Sequence, residues 1–448
     1  MSAAYYAYIL LALLVAGHLL YHRRPTQSLI IWLLVVLLLP WAGALLYLLF
    51  GSRKVFARQA KAPLRLKAAP SPIDTPLTRL LAADGVPPAR PGNRLEMTFS
   101  PRTAHDWLFD AIEGARESIW LESYIFTADT TGHRLLETLT EKARAGVQVR
   151  LLFDAFGSWQ AYRRPELFRN LRAAGGQVAF FQPLSSLWRQ RINLRNHRKL
   201  YLFDQRLLLT GGINLASEYL DPDRPDSWVD LTCRITGPVV ADHAEVFRQD
   251  WGWTTDEPLP APPTLIACAD GHPVQAVPSG PDMPADPIRE ALLHALANAR
   301  HEVFIVTPYF IPDEPVLEAV LLARKAGVRV RLLTPLKTDH LIFDLGRAPY
   351  MRELVEASAE VRCYTPTMLH AKVVLVDEAL VQIGSANLDY RSLLINYELV
   401  DFVHDPAFAR RLRAELEQLW TKTVPYVPPP DKLSRLRENL SRIITPAL

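Results

Sequence analysis

The chain has 448 residues, too many for one ordinary domain, and at roughly 150 residues apiece two or three units are expected. Hydrophobic residues make up 49 % and charged residues 22 %, which excludes a wholly disordered chain. The net charge of +3, from 50 basic and 47 acidic residues, argues against a protein that wraps nucleic acid through its phosphates, so no nucleic-acid partner is expected.

No acidic residue precedes Asp74. Two apolar runs occupy this stretch, Ala3 to Tyr21 and Leu29 to Phe50. At 1.5 Å per residue the second reaches about 33 Å, enough for the hydrocarbon core. The two runs predict a two-span transmembrane anchor over residues 1–56, with Pro40 kinking the second span. The first run lacks the basic segment of a cleaved signal peptide. Arg53, Lys54, Arg58, Lys61, Arg65 and Lys67 outnumber Arg23 and Arg24 between the runs, which favours a cytoplasmic catalytic portion. Residues 57–95 read as a basic, Pro-rich linker with one short helix around Leu77 to Ala83.

Two similar halves follow, 96–258 and 259–425, with a Pro-rich joint from Pro258 to Pro263. In the first, the strand beginning at Ser118 leads to a helix from Arg134 to Arg144, then Ala145-Gly146-Val147, then a strand from Gln148 to Phe153. In the second, the strand from Glu302 leads to a helix from Pro315 to Lys325, then Ala326-Gly327-Val328, then a strand from Arg329 to Leu333. The duplicated alternation predicts two α/β halves with largely covered sheets. Residues 426–448 form a basic amphipathic tail, with Leu433, Leu436, Leu440, Ile443 and Ile444 at helical spacing. That tail suits either an anionic bilayer surface or a docking site on the catalytic portion.

The duplication extends to the chemistry. The first half carries Asn196-His197-Arg198-Lys199, Asp204 and Gly211-Gly212-Ile213-Asn214. The second carries Leu369-His370-Ala371-Lys372, Asp377 and Gly384-Ser385-Ala386-Asn387, so H-x-K-x4-D occurs twice with Gly and Asn at matching offsets. Residues i and i+2 of a strand share a face, so each His and Lys point together. Two imidazoles and two ammonium groups around one cavity suit a phosphodiester. The lysines neutralise its oxygens, Asn214 and Asn387 donate hydrogen bonds, and the histidines act as nucleophile and acid. No metal or other cofactor is called for. The three cysteines, Cys233, Cys268 and Cys363, suggest neither a disulfide framework nor a zinc site.

These residues resemble the phospholipase D superfamily, and within it the bacterial cardiolipin synthases, over nearly the whole chain. Val277-Pro278-Ser279-Gly280-Pro281-Asp282 and Ser385-Ala386-Asn387-Leu388-Asp389-Tyr390-Arg391-Ser392 strengthen the narrower likeness. The resemblance implies two phospholipase D-like halves packed face to face. It implies a catalytic set of His197, Lys199, Asp204, His370, Lys372 and Asp377, with the two aspartates bracing strand ends rather than touching substrate. It further implies that Glu398 orients His197 and Asp230 orients His370, that His197 is the nucleophile, and that Glu122, Tyr124 and Tyr309 line the pocket. The implied activity is a membrane-bound transfer of a phosphatidyl group from one phosphatidylglycerol to another through a phosphohistidine, releasing glycerol, in a bacterial inner membrane. A hydrolytic phospholipase D and a membrane-tethered nuclease are the alternatives.

Overall fold

The structure is a computed structural model that describes residues 3–21, 26–50, 61–66, 73–183 and 193–442. The basic residues Arg23, Arg24, Arg53, Lys54, Arg58 and Lys67, and Ile443 and Ile444 of the tail, lie outside the described residues.

The apolar N-terminal runs form three helices: α1 (Ala3–Tyr21), α2 (Thr26–Leu38) and α3 (Pro40–Phe50). Among the described residues, no helix is long and apolar enough to cross a membrane. The structure thus does not supply the two spans that the composition leads one to expect. The second run is broken, not kinked. Pro40 has no amide hydrogen, its ring excludes the carbonyl four residues back, and it disfavours helical backbone at Leu39. The three helices pack together through Val15, Leu19, Val36 and Tyr47, and His18 Nδ1 lies 2.5 Å from the Tyr47 hydroxyl.

The first half contributes β1 (Arg90–Thr98), β2 (Ser118–Ser123), β3 (Gln148–Asp154), β4 (Gln177–Phe181), β5 (Leu200–Phe203), β6 (Leu207–Gly211) and β7 (Thr232–Thr236). The second contributes β8 (His272–Ser279), β9 (Glu302–Val306), β10 (Phe310–Ile311), β11 (Arg329–Pro335), β12 (Glu360–Tyr364), β13 (Val373–Val376), β14 (Leu380–Gly384), β15 (Leu388–Asp389), β16 (Glu398–Val403) and β17 (Thr423–Pro425). Read outward from the middle, the first half runs β1-β7-β6-β5-β2-β3-β4 and the second β8-β16-β14-β13-β9-β11-β12-β17. The seven strands of the first order match the first seven of the second, which adds β17 at its outer edge.

The halves are joined edge to edge as well as facing each other. β1 pairs antiparallel with β8, which makes one 15-stranded mixed sheet and leaves neither strand as an open edge. Every residue of β2, β5, β9 and β13 is buried, as strands covered on both faces require. The Ala-Gly-Val turns end the helices Thr130–Arg144 and Glu314–Lys325 in the same way. Gly146 and Gly327 take φ of +89° and +94°. The following valine amides bond to Lys142 O and Ala323 O, both at 3.1 Å, so each turn closes its helix with a left-handed glycine.

The stretch read as a linker is largely part of the fold. β1 starts within it, the helix Pro76–Ala83 is capped by Thr75, and Lys61 and Leu64 are buried. The C-terminal helix Lys432–Ser441 docks on the helix Leu341–Glu356. Arg352 holds Glu438 at 2.5 Å and Ser441 Oγ donates to Leu345 O, while Leu433, Leu436 and Leu440 stay exposed.

Candidate active site

Each histidine is fixed by a short exchange between halves. His197 N donates to Tyr397 O and Tyr397 N to Arg195 O, both at 2.9 Å. Reciprocally, His370 N donates to Val229 O at 2.8 Å and Val229 N to Met368 O at 2.9 Å. These bridges place the residue after Tyr397, Glu398, and the residue after Val229, Asp230, against the opposite half's imidazole. His197 Nδ1 lies 3.0 Å from both Glu398 oxygens, and His370 Nδ1 lies 2.7 Å from Asp230 Oδ2. All four side chains are buried. The bonded Nδ1 leaves Nε2 as the reactive nitrogen of each ring.

Lys199 and Lys372 lie two residues on, immediately before β5 and β13. Lys199 Nζ donates to His197 O at 2.8 Å. Lys372 Nζ donates to His370 O and lies 3.8 Å from Asp230 Oδ2. It also lies 2.6 Å from His370 Nδ1, but that nitrogen's single hydrogen is committed to Asp230, so the ammonium serves the carbonyl. Burial, against the pull of Glu398 and helped by Lys372, lowers Lys199 to about 7, and burial lowers Lys372 to about 8 against the pull of Asp230 and Glu398. Burial lowers His197 to about 4, against the pull of Glu398. Burial, Lys372 and Lys199 hold His370 well below its ordinary value. An anion entering between these groups would offset the burial that depresses them and favour their charged forms.

Aromatic rings wall the site. Tyr124 meets the His197 ring edge-on at 5.0 Å, while Tyr219, Trp228 and Tyr309 surround His370 at 5.2, 5.4 and 6.3 Å. The sequence reading does not assign Tyr219 or Trp228 to the pocket, although Trp228 stands two residues before Asp230. Glu122 touches neither histidine. It accepts from Asn196 Nδ2 at 2.5 Å, and burial followed by Asp250 pushes its carboxyl well up.

The remaining candidates are placed as follows. Asp204 accepts from the amides of Arg116, Glu117 and Ser118, and Asp377 from those of Arg300, His301 and Glu302. Seven residues of extended chain put each aspartate roughly 20 Å from its histidine, so neither belongs with the groups that touch substrate. Asn214 braces its own half, accepting from Ile125 N at 3.2 Å and donating to Tyr219 Oη at 3.1 Å. Asn387 Oδ1 is buried with no partner among the described residues.

Behind the histidines lies a cluster that the motif reading passed over. Arg198, fully buried, donates to Asp250 at 2.6 Å and to Asp282 at 3.2 Å, and Lys61 reaches the same two carboxylates. Alternation on a covered strand was the available signal, since a residue between His197 and Lys199 must turn to the other face.

The family described as "Cardiolipin synthase, PLD-like domain" matches residues 108–251 and 292–420, and "Phospholipase_D-nuclease N-terminal" matches residues 10–52. The chain belongs to the phospholipase D-like cardiolipin synthase family. It is 34 % identical to cardiolipin synthase A of Pseudomonas putida (strain KT2440), over 98 % of this chain and 96 % of that one. It is 32 % identical to the cardiolipin synthase of Geobacillus thermodenitrificans, over 95 % and 90 % of the two chains. Among solved structures it shares its fold with phosphatidylserine synthase of Haemophilus influenzae, with a TM-score of 0.63 and 13 % identity over 84 % of this chain and 100 % of that one.

Proposed function

We propose that the chain is a cardiolipin synthase that passes a phosphatidyl group from one phosphatidylglycerol to the hydroxyl of a second. The observation that carries this reading is the pair of histidine–carboxylate bonds exchanged between halves, which gives one cavity two oriented imidazoles and two lysines. The family and the relatives at 32 % and 34 % identity supply the lipid substrate class.

In the first step His197 Nε2 attacks phosphorus, the phosphorus–oxygen bond to glycerol breaks, and His370 gives a proton to the departing oxygen. His197, lowered to about 4, is neutral and nucleophilic at neutral pH. The incoming phosphodiester adds negative charge, which raises the proton affinity of His370 and readies it as the acid. Lys199, Lys372 and the Asn387 carboxamide hold the non-bridging oxygens. In the second step His370 takes the proton of the acceptor hydroxyl, whose oxygen attacks phosphorus and frees His197.

The N-terminal helices turn Leu10, Leu13, Leu14, Leu34, Leu37 and Trp41 outward, an apolar surface suited to lipid. They hold the enzyme at a bacterial inner membrane, with the cavity on the cytoplasmic side favoured by the basic residues that follow.

Purified full-length protein incubated with phosphatidylglycerol should yield cardiolipin and glycerol, at a rate unaffected by a metal chelator. Phosphatidic acid as the sole lipid product would convert the reading to a hydrolase, and His197→Ala retaining the wild-type rate would remove the phosphohistidine.

A further inference from the structure

We propose that Lys61 is a positioning residue for the transfer reaction, so that the segment entering the first half is part of the catalytic machinery. Side chains alternate along the segment that leads into β5. His197 and Lys199 face the cavity, and Arg198 between them is driven to the opposite, covered face. Its guanidinium meets two carboxylates there, Asp250 within the helix Val239–Thr255 and Asp282 just after β8. Its Nε donates to Glu398 O at 3.3 Å, the carbonyl of the residue whose carboxylate orients His197. Arg198 therefore locates both members of the His197–Glu398 pair from behind.

One guanidinium cannot balance two buried carboxylates. Lys61 supplies the second cation, with its ammonium on Asp250 and 2.7 Å from Asp282, its side chain 3 % exposed. It also stands 5.4 Å from the Tyr397 ring, beside Glu398. Burial raises Asp282, yet Arg198 and Lys61 together hold it below its ordinary value. The same segment is pinned at two further points: Leu64 N donates to Asp282 O, and the Arg65 backbone exchanges hydrogen bonds with Gln249. Removing the Lys61 charge leaves a net anion buried against the segment that carries His197, and Arg198 is then free to shift toward one carboxylate and away from Glu398.

The proposal rests on His197 as the attacking group. Glycerol release is the readout because a synthase and a hydrolase both give it, and His197→Ala tests the underlying reading separately. With the full chain in mixed micelles, Lys61→Met is expected to lower kcat about tenfold or more with KM within about twofold. The acidic limb of its pH profile should move up by roughly half a unit, because the unbalanced anion favours the imidazolium of His197. The groups around that ring, Glu398, Lys199, Lys372, Tyr124, His370 and Asp230, stay unchanged. Lys61→Met combined with Asp282→Asn restores the charge balance and should recover most of the lost kcat. A lowered melting temperature with wild-type kcat and pH profile, or a double variant no better than the single, would overturn the proposal. Should Lys61→Met fail to fold, Lys61→Arg and the balanced double variant decide it: both should stay within about fivefold of wild type, and a tenfold loss of kcat at a wild-type melting temperature in either refutes it.

Discussion

The two histidine–carboxylate pairs come from one duplicated plan, yet they are not equivalent. Glu398 accepts from Ser385 Oγ at 2.5 Å as well as from His197, and these donors, with Lys199, hold it at about 2 against its burial. Asp230 accepts from the Leu231 amide at 2.7 Å besides its bond to His370, and burial pushes it up to about 7 against the pull of Lys372. The difference traces to one position in the repeat. Where the second half has Ser385, the first has Gly212, and a Cβ there would sit 2.3 Å from Asp230 Oδ1. The shorter aspartate lies closer to its own backbone and needs the glycine's empty space; the longer glutamate reaches past it and leaves room for a hydroxyl. One pair thus keeps an ionised carboxylate beside a neutral imidazole, which suits a nucleophile. The other shares a proton near neutrality, which suits an acid and base.

The largest effect should come from neutralising the two carboxylates separately. Glu398→Gln removes the charge that holds the His197 tautomer and would stabilise the proposed phosphohistidine, and kcat should fall by about 10³-fold or more. Asp230→Asn removes a carboxylate that is already half protonated, and the loss should be nearer 10- to 100-fold. Equal losses in steady-state glycerol release would break the comparison. Next, Gly212→Ala drives a methyl group into Asp230 and should cost about 2–4 kcal/mol of stability together with most of the activity, read by thermal melting and by rate. Ser385→Ala, at the matching position, only removes a donor. It should cost about 1–2 kcal/mol, lower kcat several-fold, and move the acidic limb of the rate profile upward, because Glu398 with one donor fewer favours the imidazolium of His197 more strongly.

Much of this arrangement was legible from the residues. The duplicated order of strand, helix and Ala-Gly-Val turn is local in sequence, and so is the placement of His and Lys on one strand face. The cross-half partners Glu398 and Asp230 were reached through family resemblance, since no local pattern tells a histidine which distant carboxylate it will meet. The edge pairing of β1 with β8 was not legible either, because an edge strand and a linker share the same Pro- and Gly-containing composition around Arg90-Pro91-Gly92. The N-terminal runs illustrate the opposite failure. Hydropathy over Leu29 to Phe50 is blind to a single Pro40, whereas the backbone is not, and one apolar run becomes two helices. The Lys61 cluster escaped because its members lie far apart in sequence and only Arg198 belongs to the motif.

The subtlest test reads the same asymmetry in stability against pH. Glu398 is depressed to about 2 from an ordinary value of 4.5, so its contribution is complete above pH 4.5 and is lost as the pH falls toward 2. Asp230 is raised to about 7 from 3.8, so its contribution is complete below pH 3.8 and is lost as the pH rises toward 7. Between pH 4.5 and 7 the melting temperature of Glu398→Gln should therefore run parallel to that of the wild type. Over the same interval Asp230→Asn should gain on the wild type by about 2 °C, because an amide never has to ionise in the buried site. Parallel curves for both variants would mean that Asp230 is ionised throughout, and the shared proton assigned to the His370 side would have to move elsewhere.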